Sequence, residues 1–431
     1  MKIAIVGTGV SGLVAAHHLH RQHDVTVYEA AARIGGHSHT VTVPEPGGPD
    51  QSIDTGFIVF NDRNYPNFEA LLDELGVASQ RSHMGFSVSD GRGGFEFSGT
   101  PWGLFARPVH LLSPTFIRML RDWRRFNRLA PGLIGMNGTA PSLGAWLERE
   151  GFSRHFIDRL IVPQASAVWS ADPGQMWAFP ASFMAEFFDN HGMYSLRDRP
   201  HWRTVEGGSR SYVEAITAPW RDRVRTAAPV RRVERLPDEV RVEAAGCETE
   251  SFDRVVIAAH SDQALAMLGP GASAAEREIL AAIPYRRNEA VLHTDRSLMP
   301  RRRAAWSSWN FHLCDPAPPA TTVTYWMNHL QRLPRGRDYF LTLNRGEAIA
   351  PRTRLGSFAY DHPVYTKAGV AAQRRHGEIS GCAHRTHFAG AYWGWGFHED
   401  GVVSGLGVAA ALAGAGAEVV PIPAVAEELA A

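Results

Sequence analysis

The stretch IVGTGVSGLVAAHHL, residues 5–19, constrains this chain more than any other. An apolar strand from Lys2 to Val6 runs into Gly7, Gly9 and Gly12, and then into a helical pattern rich in alanine and leucine. Strand, glycine turn and helix in that order form a dinucleotide cradle. Gly7 permits the tight turn, Gly9 lets backbone approach a pyrophosphate, Gly12 lets the helix lie against the strand, and the helix N-terminus turns free N–H groups to the phosphates. A second strand, Val25 to Tyr28, ends in Glu29, where a ribose hydroxyl needs an acceptor. A carboxylate there repels a 2′-phosphate, which disfavours NADP. An ordinary βα turn is the plain alternative; strand, helix, second strand and terminal Glu within about 30 residues argue for the cradle.

At 431 residues the chain exceeds what one hydrophobic core serves, so two or three domains are expected. The formal net charge is zero, which removes the electrostatic case for a nucleic-acid partner. Lysine occurs only at Lys2 and Lys367, and arginine supplies nearly all the positive charge. Cys247, Cys314 and Cys382 stand far apart with no CxxC pair, so reduced thiols and a cytoplasmic location are expected and no metal site is indicated. A strand beginning at residue 2 leaves no room for a targeting peptide ahead of it. Gly401 to Gly416, the longest weakly polar stretch, is interrupted by Ser404 and built largely of glycine and alanine, which is no membrane span.

After the first βαβ unit, IDTGFIVF alternates as a strand and YPNFEALLDELG reads as a helix closed by Gly76. From about residue 80 to 200 the period is helical and aromatics are dense. VEGGSRSYVEAI then carries a second glycine turn into a helix. Arg223 to Val233 and Glu239 to Ala244 alternate as an antiparallel meander, whereas Phe252 to Ala259 is a continuous apolar strand of a parallel sheet. The α/β texture returns after residue 386 with a strand, a glycine-rich aromatic loop and a small-residue helix. The predicted architecture is α/β plus α+β. A Rossmann-type nucleotide domain is assembled from residues 1–75, 205–265 and 383–420, and a second, substrate-binding domain from 76–204 and 266–382.

Four glycine-bearing stretches need a joint explanation: the first turn, Gly35-Gly36, Gly207-Gly208, and the loop with Gly394, Gly396, Gly401 and Gly405. NAD on one Rossmann unit leaves the last three unexplained. FAD in extended form accounts for them, because its second phosphate, ribityl chain and ring need further close backbone approaches. Together with Glu29, Arg33, GGSRSYVEAI, DRVVIAAH and FAGAYWGWG…EDGVVSG, these stretches resemble the flavin-containing amine oxidase superfamily, which includes phytoene-type desaturases and protoporphyrinogen oxidases. The resemblance implies FAD, with Glu29 on the adenosine ribose and Gly9, Val10, Ser11 and Gly12 on the pyrophosphate. It places Arg33, Gly35 and Gly36 along the phosphate and ribityl side, Val230 beside the adenine, and Gly401, Val402 and Val403 under the flavin end. A surface Arg33 and a merely structural Val230 are the alternatives. Ala391 stands where many relatives have Glu or Asp, and His37 where they often have Arg. No lysine lies between residues 3 and 366, whereas amine oxidases of the superfamily commonly place one beside the flavin, and this weakens amine oxidation as the reading.

A flavin accepts hydride itself, so the substrate must offer a labile C–H bond beside nitrogen or a double bond. No second GxGxxG serves NAD(P)H. Tyr392, Trp393, Trp395, His398 and Glu399 surround the inferred ring position. Trp393 and Trp395 are read as pocket wall, and Tyr392, His398 and Glu399 as catalytic groups, with His398 or Glu399 accepting a proton after hydride loss. In the alternative the aromatics are core, and His398 and Asp400 hold backbone N–H groups. TYWMNHLQ adds Tyr325 and Asn328 to the pocket, while His329 reads as a satisfied core histidine.

In SPTFIRMLRDWRRFNRL, Ser113 is an N-cap and Pro114 suits the first helical position. Arg118, Arg121, Arg124, Arg125 and Arg128 share one face, and Phe116, Met119, Leu120, Trp123 and Phe126 the other. Such a helix more often packs its apolar face on the domain and solvates its arginines; the other reading of residues 113–129 is a peripheral contact with the inner membrane face. A narrower resemblance agrees: SAVWSADP, SSWNFH, TYWMNHLQRLP and AYWGWGFHEDG are similar to a bacterial branch of NAD/FAD-binding oxidoreductases associated with cyclopropane and methylated (furan) fatty acid synthesis. It implies desaturation or oxidation of an unsaturated or methylated acyl chain of a phospholipid, with a fatty-acyl methyltransferase as partner. An amine oxidase on a soluble amine and a flavin-bound accessory subunit of such a methyltransferase remain open beside it.

Overall fold

The computed structural model describes residues 1–45, 47–136, 140–195, 199–315, 320–334, 336–381 and 384–413. β1 (Lys2–Val6), α1 (Val10–Leu19) and β2 (Asp24–Tyr28) form the opening βαβ unit. β1 is an unbroken apolar run because it lies inside a parallel sheet, with helices or strands over both faces. Its sheet is completed by distant chain: β3 (Val224–Arg225), β4 (Arg254–Ile257) and β5 (Thr386–Phe388), in the order β3-β2-β1-β4-β5. Val27, Ile5, Val256 and His387 lie side by side across it. The last helix, His398–Ala413, lies on α1.

Two expected strands are each divided. Ala227, at φ 53°, breaks the run from Arg223 to Val233, so its first part joins the parallel sheet as β3 and its second starts the antiparallel strand Val230–Arg235. Likewise Glu250–Phe252 closes the meander before β4 begins at Arg254.

A seven-stranded sheet forms the second layer, in the order Arg354–Pro363, Tyr285–His293, Phe340–Leu343, Val323–Trp326, Trp309–His312, Phe86–Ser89, Glu96–Ser98. Helices between residues 101 and 190 cover it, burying Phe116, Phe126, Trp146, Phe156 and Met184. Some chain expected in this domain packs elsewhere: Ile279, Leu280, Ala372 and Ile379 are buried with Val255, Ile257 and Phe388 of the nucleotide sheet. Residues 382, 383 and 414–420 of the expected boundaries, with Cys382, lie outside the described residues.

Three helices matter below. α2 (Pro66–Leu75) ends on Gly76 at φ 65°. α3 (Pro101–Leu104) is capped by Thr100, whose Oγ1 accepts from Gly103 N at 2.9 Å. α4 (Pro114–Leu129) is capped by Ser113, and Phe116, Met119 and Phe126 sink into the core. The apolar face of residues 113–129 is thus packed on the domain, as one of the two readings expects, and the arginine face is left outside.

Candidate functional site

A cavity of about 1360 Å³ runs from the glycine turn through the interface of the two layers into the seven-stranded sheet. That exceeds the usual volume of a single-ligand pocket, about 300–1,000 Å³. One end is main chain. Gly7 has φ +106°, and a Cβ on it would stand 2.5 Å from Ala258 O. A Cβ on Gly12 would stand 2.0 Å from Gly7 O, so α1 sits as close to the turn as backbone allows. Gly9 is the N-cap, with no side-chain cap, no acid in the first helical turn, and open space where its Cβ would be. Uncapped N–H groups beside an open space suit an anion. Gly7, Gly9, Val10, Ser11, Gly35, Gly36 and Val230 line the cavity.

Glu29 also lines it, nine-tenths buried. Its carboxylate accepts from Thr8 N at 3.0 Å, from Thr8 Oγ1, and from Ala31 N at 2.8 Å. Thr8, which the motif leaves as a free position, therefore holds the acceptor in place. Arg33 does not reach the wall. Its guanidinium donates to Gly36 O at 2.7 Å and Ser38 O at 3.3 Å, bracing the loop that carries Gly35 and Gly36. Gly12 likewise acts through packing.

The carboxy-terminal loop meets this end, as extended FAD requires: Gly390, Ala391, Tyr392, Trp395 and His398 line the same cavity. Gly401 and Gly405 serve helix contact, since their Cβ atoms would stand 2.4 Å from Val10 Cγ1 and 2.5 Å from Ser11 O. Val402 is buried in the same core, and neither it nor Val403 is on the cavity wall.

Of the expected catalytic groups, His398 stacks on Phe57 with ring centroids 3.4 Å apart. Its Nε2 lies 3.0 Å from Ser38 Oγ and 2.9 Å from Tyr212 OH. Burial pushes its pKa down to about 3, so the ring is neutral. Tyr392 is buried and its hydroxyl has no partner. Glu399 is turned away from the cavity: it accepts from Asn67 N and Phe68 N, each at 2.9 Å, and caps α2. Trp393 is also off the wall, packed beside His376 in the nucleotide core. Asn328 closes a loop, donating to Arg337 O and accepting from Tyr339 N at 2.7 Å. Tyr325 and Trp395 line the cavity, and so does His329, stacked on Trp326 and 3.0 Å from Ser308 Oγ.

The sequence reading missed most of the wall. Phe57, Trp169, Phe187 and Trp309 give it an aromatic character, and His37, His260 and His362 cluster beside Tyr360. Burial holds all three imidazoles below their usual pKa, His362 at about 4. His37 Nε2, Trp169 Nε1, Trp309 Nε1, Tyr365 OH and Tyr392 OH are buried on this wall without partners. Buried polar atoms without partners gathered around one cavity mark it as a candidate ligand site. Glu29 is the wall's only carboxylate among the described residues, while Arg81 and Arg199 stand exposed at the rim. Nearby, Asp54 ties the layers together, accepting from Thr40 Oγ1 at 2.6 Å, Ser209 N at 2.9 Å and Gln331 Nε2 at 2.9 Å.

A glycine cradle with a ribose acceptor, continued by a second loop and a cavity too long for a nucleotide alone, defines a two-domain flavin nucleotide class. The chain belongs to the flavin-containing amine oxidoreductase family, whose sequence model matches residues 10–303. FAD is the cofactor of that family, and the cradle fits it. Protoporphyrinogen oxidase 2 of Arabidopsis thaliana is 29% identical over 188 residues, 41% of this chain and 34% of that protein. The match therefore spans about a third of the length of this curated relative. Among solved structures, cyclohexylamine oxidase from Brevibacterium oxydans has a TM-score of 0.69 at 18% identity, covering 95% of this chain and 98% of that one. A CLA-producing fatty acid isomerase from P. acnes has a TM-score of 0.63 at 14% identity, covering 94% and 96%. Those two likenesses are of fold.

Proposed function

We propose that this protein is an FAD-dependent oxidoreductase that removes hydride from an activated C–H bond of an unsaturated or methylated acyl chain carried on a phospholipid. The observation that carries the reading is the wall beyond the nucleotide end: long, aromatic, and without a carboxylate among the described residues. An alkyl chain gains from contact with such a wall in proportion to the apolar area buried. A protonated amine finds no counter-charge there.

FAD, when bound, supplies the two-electron acceptor. Glu29 and the free N–H groups of α1 hold its polar half. Phe57, Trp169, Phe187, Tyr325 and Trp395 line the space for the chain and exclude water, and Arg81 and Arg199 at the rim offer guanidinium groups to an anionic headgroup. The neutral ring of His398, bonded to Ser38 and Tyr212, keeps a positive charge out of this wall. Tyr392 lies on the same wall with its hydroxyl buried.

The test is anaerobic mixing of the yellow protein with detergent-dispersed phospholipids of different acyl chains. Bleaching by unsaturated or methylated chains, and not by saturated ones, is expected. Bleaching by amines alone replaces this reading with amine oxidation. No bleaching by either class, with tight binding to a fatty-acyl methyltransferase, replaces it with an accessory subunit.

A further inference from the structure

Apart from Met1, every large hydrophobic side chain exposed among the described residues lies between residues 102 and 136. Trp102 is 86% exposed, Leu112 84%, Leu111 55% and Val109 53%, with Phe105 and Ile117 beside them. The segment is built, not frayed. Thr100 caps α3, Gly103 is packed against Ser98 and Ala304, and His110 stacks on Phe116 with centroids 4.1 Å apart. An apolar patch standing on a packed base marks an interaction surface.

Its charge says which kind. Ile117, Arg121, Arg124 and Arg128 recur at helical spacing and form one exposed stripe of α4, so arginines continue the patch along the same side. No carboxylate pairs with Arg121, Arg124 or Arg128 among the described residues, and Arg118 has only Asp122 at 4.0 Å. Tryptophan and leucine followed by unpaired arginines complement a surface that is apolar beneath and negative above. No helix among the described residues is long and apolar enough to cross a membrane.

We propose that residues 101–128 dock this protein on an anionic bilayer, with Trp102, Phe105, Leu111 and Leu112 entering the headgroup boundary and the arginine stripe of α4 meeting lipid phosphates. The contact is made by Trp102 of α3, by Phe105 just after it, by the turn Pro108–Leu112 and by the exposed stripe of α4, not by the buried face of α4. Thr100, the cap of α3, is also on the cavity wall, and so is Trp306, which follows the Arg303–Ala305 turn against which α3 rests. Docking therefore brings a segment that borders the cavity to the lipid. The surface stands whatever the substrate is.

The FAD-loaded full chain is sedimented with phosphatidylglycerol vesicles, with phosphatidylcholine vesicles, and alone. Binding to phosphatidylglycerol is expected to exceed binding to phosphatidylcholine by about tenfold at low salt. Trp102→Ser with Leu112→Ser abolishes binding to both, and Arg121→Glu with Arg124→Glu removes the lipid preference, while flavin content and melting temperature stay at wild-type values. Sedimentation with neither vesicle, or equal binding by the Trp102→Ser, Leu112→Ser variant, overturns the proposal. A dimer in solution that this variant splits into monomers also overturns it, assigning the patch to a second copy of the chain. Because bleaching by detergent-dispersed lipid needs no bilayer, a failure here is distinct from a failure of the substrate reading.

Discussion

At the amino-terminal end of the cavity a ligand meets main chain, and at the other end it meets side chains. Gly7, Gly9 and Gly12 act by lacking a Cβ, and Glu29 is held by Thr8 and Ala31. Phe57, Trp169, Trp309, Tyr325 and Trp395, by contrast, reach the wall from five separate segments. The first end has one solution, set by spacing along the chain. The second is a shape that many side-chain combinations would make, so substitutions there alter which substrate fits and leave the cofactor bound.

That contrast is broken or sharpened by four measurements. The largest effect is expected at Gly12→Val, whose Cβ would stand 2.0 Å from Gly7 O. The variant should purify colourless or not fold, whereas Trp395→Ala should stay yellow. A stable, yellow Gly12→Val would remove the contrast.

Acid comes next. Burial lowers the pKa of His39, His191, His293, His329, His362 and His387 to about 4 and of His312 and His398 to about 3, against 6.5 unfolded. Below 6.5 the unfolded chain takes up protons that the folded chain refuses, so the stability these groups retain above 6.5 is lost as pH falls towards about 4. Each such proton contributes a slope of about 1.4 kcal/mol per pH unit. Asp54, raised to about 6, and Asp400, raised to about 7, oppose this, because folded carboxyls hold protons that the unfolded chain releases. Eight histidines against two carboxyls leave a net loss on acidification. The melting temperature, followed from pH 8 to 5, should fall; a rise would mean that the imidazoles of the wall are charged.

Glu29→Gln should weaken FAD by about tenfold, the loss of a charged hydrogen-bond acceptor, read by titration of the apoprotein. Unchanged affinity would show that Thr8 and Ala31 are the sole partners of that carboxylate. The smallest effect is expected at Glu399→Gln: about 1 kcal/mol of stability from a weaker cap on α2, with kcat unchanged. A large fall in kcat at constant melting temperature would return Glu399 to the proton-acceptor role.

What could be read in advance follows the same division. The βαβ unit, the Ser113 cap and the Gly76 stop depend on neighbours within a few residues, and they stand in the structure as read. Arg33 is a cofactor residue only by resemblance, and what its guanidinium does in the fold, donating to Gly36 O and Ser38 O, has no local signature. Glu399 and Trp393 sit in the right loop, but which way each side chain turns depends on α2 and on His376, far along the chain. No local pattern encodes that. The same holds for His260 and His362, which meet His37 only when three segments close on one another. The amphipathic pattern of α4 was legible, but which side of it faces protein is decided by the core that covers Phe116 and Phe126.

The strand order has a consequence for how such a chain is made. β1 is synthesised before every strand it joins, yet one of its two neighbours, β4, follows some 250 residues later, and β5, which closes that side, later still. Until β4 is made, that apolar edge of β1 has no lasting neighbour, so the nascent protein must keep an adhesive surface out of trouble over some 250 residues of synthesis. Truncation anywhere before residue 386 leaves this sheet open, and a nucleotide half cut out as residues 1–75 has no route to independent folding.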